Sequence, residues 1–103
     1  KGWVSFDGTG TITIRDAFNV SSLTDNGVGT YIINWDMPFA AGAGIGKSVV
    51  IGSASDVGGG AYAFVGIESV PEVINTSTKI VTPKHNGILD DPPYVAVMAI
   101  GDQ

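Results

Sequence analysis

The sequence predicts an all-β chain folded as a small antiparallel β-sandwich. Short runs of β-branched and aromatic residues alternate with polar ones, and clusters of Gly, Asn, Asp and Pro separate them. Sustained helical periodicity and internal repeats are both missing from the sequence. A chain of 103 residues is one domain by length, 1–103, and long enough to bury a core without staples.

Taken in order, Trp3-Val4-Ser5-Phe6 alternates as a strand, and Asp7-Gly8-Thr9-Gly10 is turn chemistry. Thr11 to Ile14 alternates Thr and Ile, which suits a pleated, half-buried surface. Arg15 to Ser22 is expected to continue extended, with Phe18 and Val20 on one face. Asp25-Asn26-Gly27 is the clearest hairpin signal, because a tight primed turn needs positive φ and Asn-Gly supplies it. The returning strand, Val28 to Trp35, sets Tyr31, Ile33 and Trp35 on one face and Thr30, Ile32 and Asn34 on the other. Met37-Pro38 ends it, since Pro has no ladder donor. Trp3 and Trp35 are both expected to point inward as core residues.

The centre is less regular. Phe39 to Gly46 reads as a Gly-Ala loop, Lys47 to Ser53 as a strand, and Asp56 to Gly60 as a turn. Ala61 to Ile67 reads as another strand and Glu68 to Glu72 as a corner. Val73-Ile74 and Thr78 to Thr82 offer short strands, and Pro83 to Pro93 is a long polar loop. The last strand is Tyr94 to Ile100. Residues 61–65 and 94–100 are apolar on both faces, whereas an isolated antiparallel sheet leaves one face polar. Such strands are central in a sandwich, or one of their faces packs on a neighbouring subunit.

Composition narrows the function classes. With no Cys there is neither a disulfide framework nor a thiolate metal site. The net charge of −5, from ten acidic and five basic residues, argues against nucleic acid, which needs a clustered basic stripe. Charged residues are 15% of the chain, against about 25% in an average soluble domain. So few charges leave a poorly solvated surface, which burial against copies of the same chain would relieve. No uninterrupted apolar run reaches the roughly 18–20 residues of a membrane helix, so membrane insertion is not expected. The chain opens Lys-Gly-Trp without an initiator Met or a signal-peptide apolar region, and is expected to be a fragment of a longer protein.

No reactive constellation stands out. Ala41-Gly42-Ala43-Gly44-Ile45-Gly46-Lys47-Ser48 matches the end of a phosphate-binding loop, but Ala41 replaces the required first glycine. A strand follows it, where such a loop feeds a helix N-terminus. His85 is the sole histidine, and no Ser lies in a Gly-x-Ser-x-Gly elbow. Around a threefold axis three copies of His85 could meet and bind a metal, but a lone loop histidine is more often simply solvated. Asp16, Asp36, Asp56, Glu68, Glu72, Asp90 and Asp91 could supply a glycosidase pair, although Asp90-Asp91 before Pro92-Pro93 reads better as turn chemistry. No calcium loop of alternating acids occurs. Asn19-Val20-Ser21 and Asn75-Thr76-Ser77 match the glycosylation sequon, which matters only in a secreted eukaryotic chain.

Residues 3–37, and within them Trp3-Val4-Ser5-Phe6-Asp7-Gly8-Thr9-Gly10-Thr11 and Ile14 to Gly27, resemble a module found near the C-termini of bacteriophage tail-fibre proteins. Thr78 to Thr82 and Asp91-Pro92-Pro93-Tyr94-Val95-Ala96-Val97-Met98-Ala99-Ile100-Gly101 are similar to the end of the same module. Residues 39–75 carry no such resemblance. It implies a homotrimeric virion fibre whose distal β-domain attaches to a bacterial surface glycan or outer-membrane protein, with no cofactor and no catalytic residues. Loop-borne binding candidates are Phe39, Ile45, Lys47, Asp56, Tyr62, Lys84, His85 and Asn86. The alternative is a trimerisation or folding cap without receptor binding, and a depolymerase is the third reading.

Overall fold

The computed structural model describes residues 1–38, 48–55, 66–67, 77–83 and 88–101. Among these, the alternating runs become β1 (Gly2–Asp7), β2 (Thr13–Phe18), β3 (Val20–Asp25) and β4 (Thr30–Trp35). They are followed by β5 (Ser48–Ser55), β6 (Gly66–Ile67), β7 (Ser77–Val81) and β8 (Tyr94–Gly101). The strands form two antiparallel sheets, ordered β2-β1-β8-β5 and β3-β4-β7-β6, which pack as a small sandwich.

Side-chain alternation decides what enters the core. From the first sheet come Val4, Phe6, Ala54, Val95, Val97 and Ala99; from the second come Tyr31, Ile33, Trp35 and Ile80. The Phe6 and Tyr31 rings meet edge to face across the layers at 5.0 Å and 71°. That geometry adds to the roughly 1.5–3 kcal/mol that full burial of one large apolar side chain contributes. The Trp35 indole Nε1 donates to the buried Thr78 Oγ1 at 3.1 Å, so its polar atom is satisfied inside the core.

The single extended segment expected over 15–22 is two strands in two sheets. Asn19 stands between them at φ 58°, a left-handed conformation that Asn tolerates better than most residues. Its amide Nδ2 donates to the carbonyls of Lys1 (3.2 Å) and Met37 (3.1 Å), and its Oδ1 accepts from the Met37 amide. One side chain thus ties three stretches of chain at the corner, and Phe18 and Val20 end up in different sheets. Both edge strands carry a bulge beside this corner. Ser5 faces Asp16 while Phe6 faces Ile14, leaving Arg15 extra; Val20 faces Trp35 while Ser22 faces Asn34, leaving Ser21 extra. Bulges bend and twist edge strands, which suits a chain passing from one sheet to the other.

Two further expectations are corrected. The β3–β4 hairpin forms, but over four residues rather than on an Asn-Gly pair, so β4 starts at Thr30 rather than Val28. Asp25 Oδ1 accepts from the Gly27 amide at 3.1 Å, and the left-handed positions fall on Gly27 (φ 117°) and Gly29 (φ 65°). The Asp25 side chain has captured the turn that Asn26 was expected to set. Trp3 points outward, because β1 buries Gly2, Val4 and Phe6 and leaves Trp3, Ser5 and Asp7 on the other face.

The Asp7–Gly10 turn forms as expected: Asp7 Oδ1 accepts from the Thr9 hydroxyl at 2.6 Å and the Thr9 amide at 2.8 Å. Those two bonds, with Arg15 nearby, hold the Asp7 carboxyl below the usual carboxylate range. The expected strand over 61–67 is described only at Gly66–Ile67, paired with β7, and the expected Val73-Ile74 strand lies outside the described residues.

Candidate functional site

The outer face of the first sheet is its least polar surface. Strand register places Phe18, Trp3, Met98 and Ile51 in one row across all four strands. Phe18 and Ile51 are 51% and 55% exposed, and Met98 39%. Ile100 and Tyr94 extend the exposed apolar face along β8, whose other side chains, Val95, Val97 and Ala99, are buried. A shallow groove of about 520 Å³ runs along this face between Trp3, Ile51 and Met98, with the hydroxyls of Ser5 and Ser53 as its side-chain polar groups. At one end the Arg15 guanidinium lies 4.7 Å over the Tyr94 ring and 3.6 Å from Asp7, an ion pair and cation–π contact that neutralise each other's charge. The β8 pattern, apolar on both faces, announces this surface in the sequence; Trp3 is the member that sequence reasoning misplaced.

One end of the sandwich carries a polar clasp. Asp91 Oδ1 accepts from the Tyr31 hydroxyl and from the Gly29 amide, each at 2.7 Å. Thr82 Oγ1 donates to the Asp90 carbonyl at 2.7 Å, and the Gly8 amide donates to the Pro92 carbonyl at 2.9 Å. Burial, then the neighbouring Asp91 carboxylate, pushes the Tyr31 phenol well above its ordinary range. The Asp90-Asp91-Pro92-Pro93 stretch is therefore more than a solvated turn: it straps the segment entering β8 onto the β3–β4 hairpin.

A smaller hollow of about 250 Å³ at the corner is lined by Phe18, Asn19, Asp36 and Met37. The Asn19 amide in its wall is spent on the corner hydrogen bonds.

The candidates Phe39, Ile45, Lys47, Asp56, Tyr62, Lys84, His85 and Asn86 all lie outside the described residues, as do Glu68 and Glu72. The structure therefore does not bring them together or separate them. Among the described residues, no three His, Asp or Glu side chains converge on one point. Compared with protein-family models, with curated proteins and with solved structures, the chain matches none.

Proposed function

We propose that this chain is the attachment domain of a bacteriophage fibre, working as a homotrimer in the virion and binding a bacterial surface glycan or outer-membrane protein through loops. The observation that carries the reading is how the sandwich divides. The residues that resemble the tail-fibre module supply β1, β2, β3, β4, β7 and β8, which include the two inner strands of each sheet. The segment without that resemblance supplies β5 and β6, each an edge strand on the side away from the Asn19 corner. A shared frame with an individual margin is what a family of binders to different surfaces requires, because loops on a rigid scaffold vary without cost to the core. Repetition on three chains turns weak single sites into useful avidity, by about 10²–10⁴.

Adsorption of the isolated chain to host cells tests this. Binding is expected, and Lys47→Ala, Lys84→Ala or His85→Ala is expected to weaken it with the thermal midpoint unchanged. A stable assembly that binds no bacterial cell would favour the folding cap instead, a reading supported by the exposed apolar face of the first sheet.

A further inference from the structure

We infer that the outer face of the β2-β1-β8-β5 sheet is covered by another copy of this chain. The inference does not depend on the fibre reading, since it rests on the chemistry and size of the face. Its central row, Phe18, Trp3, Met98 and Ile51, with Ile100 beyond it, contains no ionisable group. A sugar needs a dense set of hydrogen-bonding partners, and the side chains of this groove offer only Ser5 and Ser53. The occupant is therefore apolar itself, and a protein surface fits where a glycan does not.

Charge selects a copy of the same chain. At net −5, two copies repel each other, so they can meet only where the charge is low. On this face the ionisable groups gather toward the β2 edge and one end, where Arg15 and Asp7 form an ion pair and Asp16 is the remaining acid. Asp25, Asp36, Asp90 and Asp91 lie on the second sheet, its corner and the clasp, away from the row.

Size agrees as well. Four strands at about 4.8 Å spacing and some seven residues at about 3.3 Å make a face of roughly 450 Å² in projection. Side-chain relief raises the accessible area toward the roughly 800 Å² per partner of a standard stable interface. Sheets of this kind pack face to face at about 10 Å, as the two sheets inside the chain do. The β5 edge, Ser48 to Ser55, borders the face and contains neither charge nor proline, so nothing in its sequence opposes a close neighbour.

Sedimentation equilibrium on the full 103-residue chain decides the matter. The wild-type chain is expected to sediment as a dimer or a trimer at micromolar concentration. Met98→Lys and Ile51→Lys are each expected to raise the dissociation constant at least about 30-fold, the loss of a central contact, while far-UV circular dichroism stays that of the wild type. Val28→Lys, at an equally exposed position on the β3–β4 turn, is expected to leave the assembly intact. A wild-type monomer, assembly that survives both face substitutions, or equal dissociation by Val28→Lys would each overturn the inference.

Discussion

Tyr31 shows how much one residue joins in this molecule. Its ring packs on Phe6 at the centre of the core, and its hydroxyl reaches Asp91 at the end of the sandwich. The phenol is held protonated in the folded chain while the unfolded chain ionises it near the ordinary value of about 10. A group whose folded pKa is raised adds stability that is fully present below the unfolded value and is lost as pH climbs above it. Below pH 9 the contribution is therefore constant, and above about pH 10 it falls by up to about 1.4 kcal/mol per pH unit. Tyr31→Phe is expected to cost about 1.5–3 kcal/mol at neutral pH, the range for a hydrogen bond to a charged group. It is also expected to flatten the decline between pH 10 and 11. Urea unfolding across that range measures both, and a variant that keeps the full alkaline slope would show that another group is responsible.

At the scale of elements, alternation made β1, β4, β7 and β8 legible, because one buried face imposes a period of two on each. Alternation does not by itself say which face is buried. For β1 the answer lay in the companions: Trp3 shares its face with Ser5 and Asp7, whereas Val4 and Phe6 form an apolar set. The size of the indole masked that. The corner at Asn19 was illegible for a different reason. Phe18 and Val20 flank it with strand-forming side chains, and neither Gly nor Pro marks the break. The signal is the left-handed tolerance of Asn together with partners at Lys1 and Met37 that only the fold brings near. The binding loops stayed illegible because exposed loop residues obey no packing period.

The corner separates two effects that a single substitution confounds. Asn19→Gly keeps φ 58° accessible but removes the amide clamp, whereas Asn19→Ala removes the clamp and opposes the backbone as well. Asn19→Ala is therefore expected to be less stable than Asn19→Gly by about 1–2 kcal/mol, the cost of a left-handed conformation for a residue with a Cβ. Denaturant midpoints of the two variants check this, and equal midpoints would place the whole role of Asn19 in its hydrogen bonds.

At the scale of the whole molecule, each sheet contributes one wall of a common core, so neither has a buried face without the other. β1 pairs with β8 at the far end of the sequence, and β4 pairs with β7 across the central segment, so most of the ladder closes only when distant parts of the chain meet. Such a topology unfolds as one unit rather than sheet by sheet. The two tryptophans make this measurable, because Trp3 sits on the first sheet and Trp35 in the core wall of the second. In Trp3→Phe the remaining fluorescence reports the second sheet, and in Trp35→Phe it reports the first. Trp35→Phe is the less stable variant, since it leaves the buried Thr78 hydroxyl without its indole donor. Within each variant, however, the fluorescence midpoint in urea is expected to coincide with that variant's own far-UV dichroism midpoint. A fluorescence transition in Trp35→Phe that precedes the dichroism would mean that the first sheet opens alone, and that the shared core does not bind the two layers into one cooperative structure.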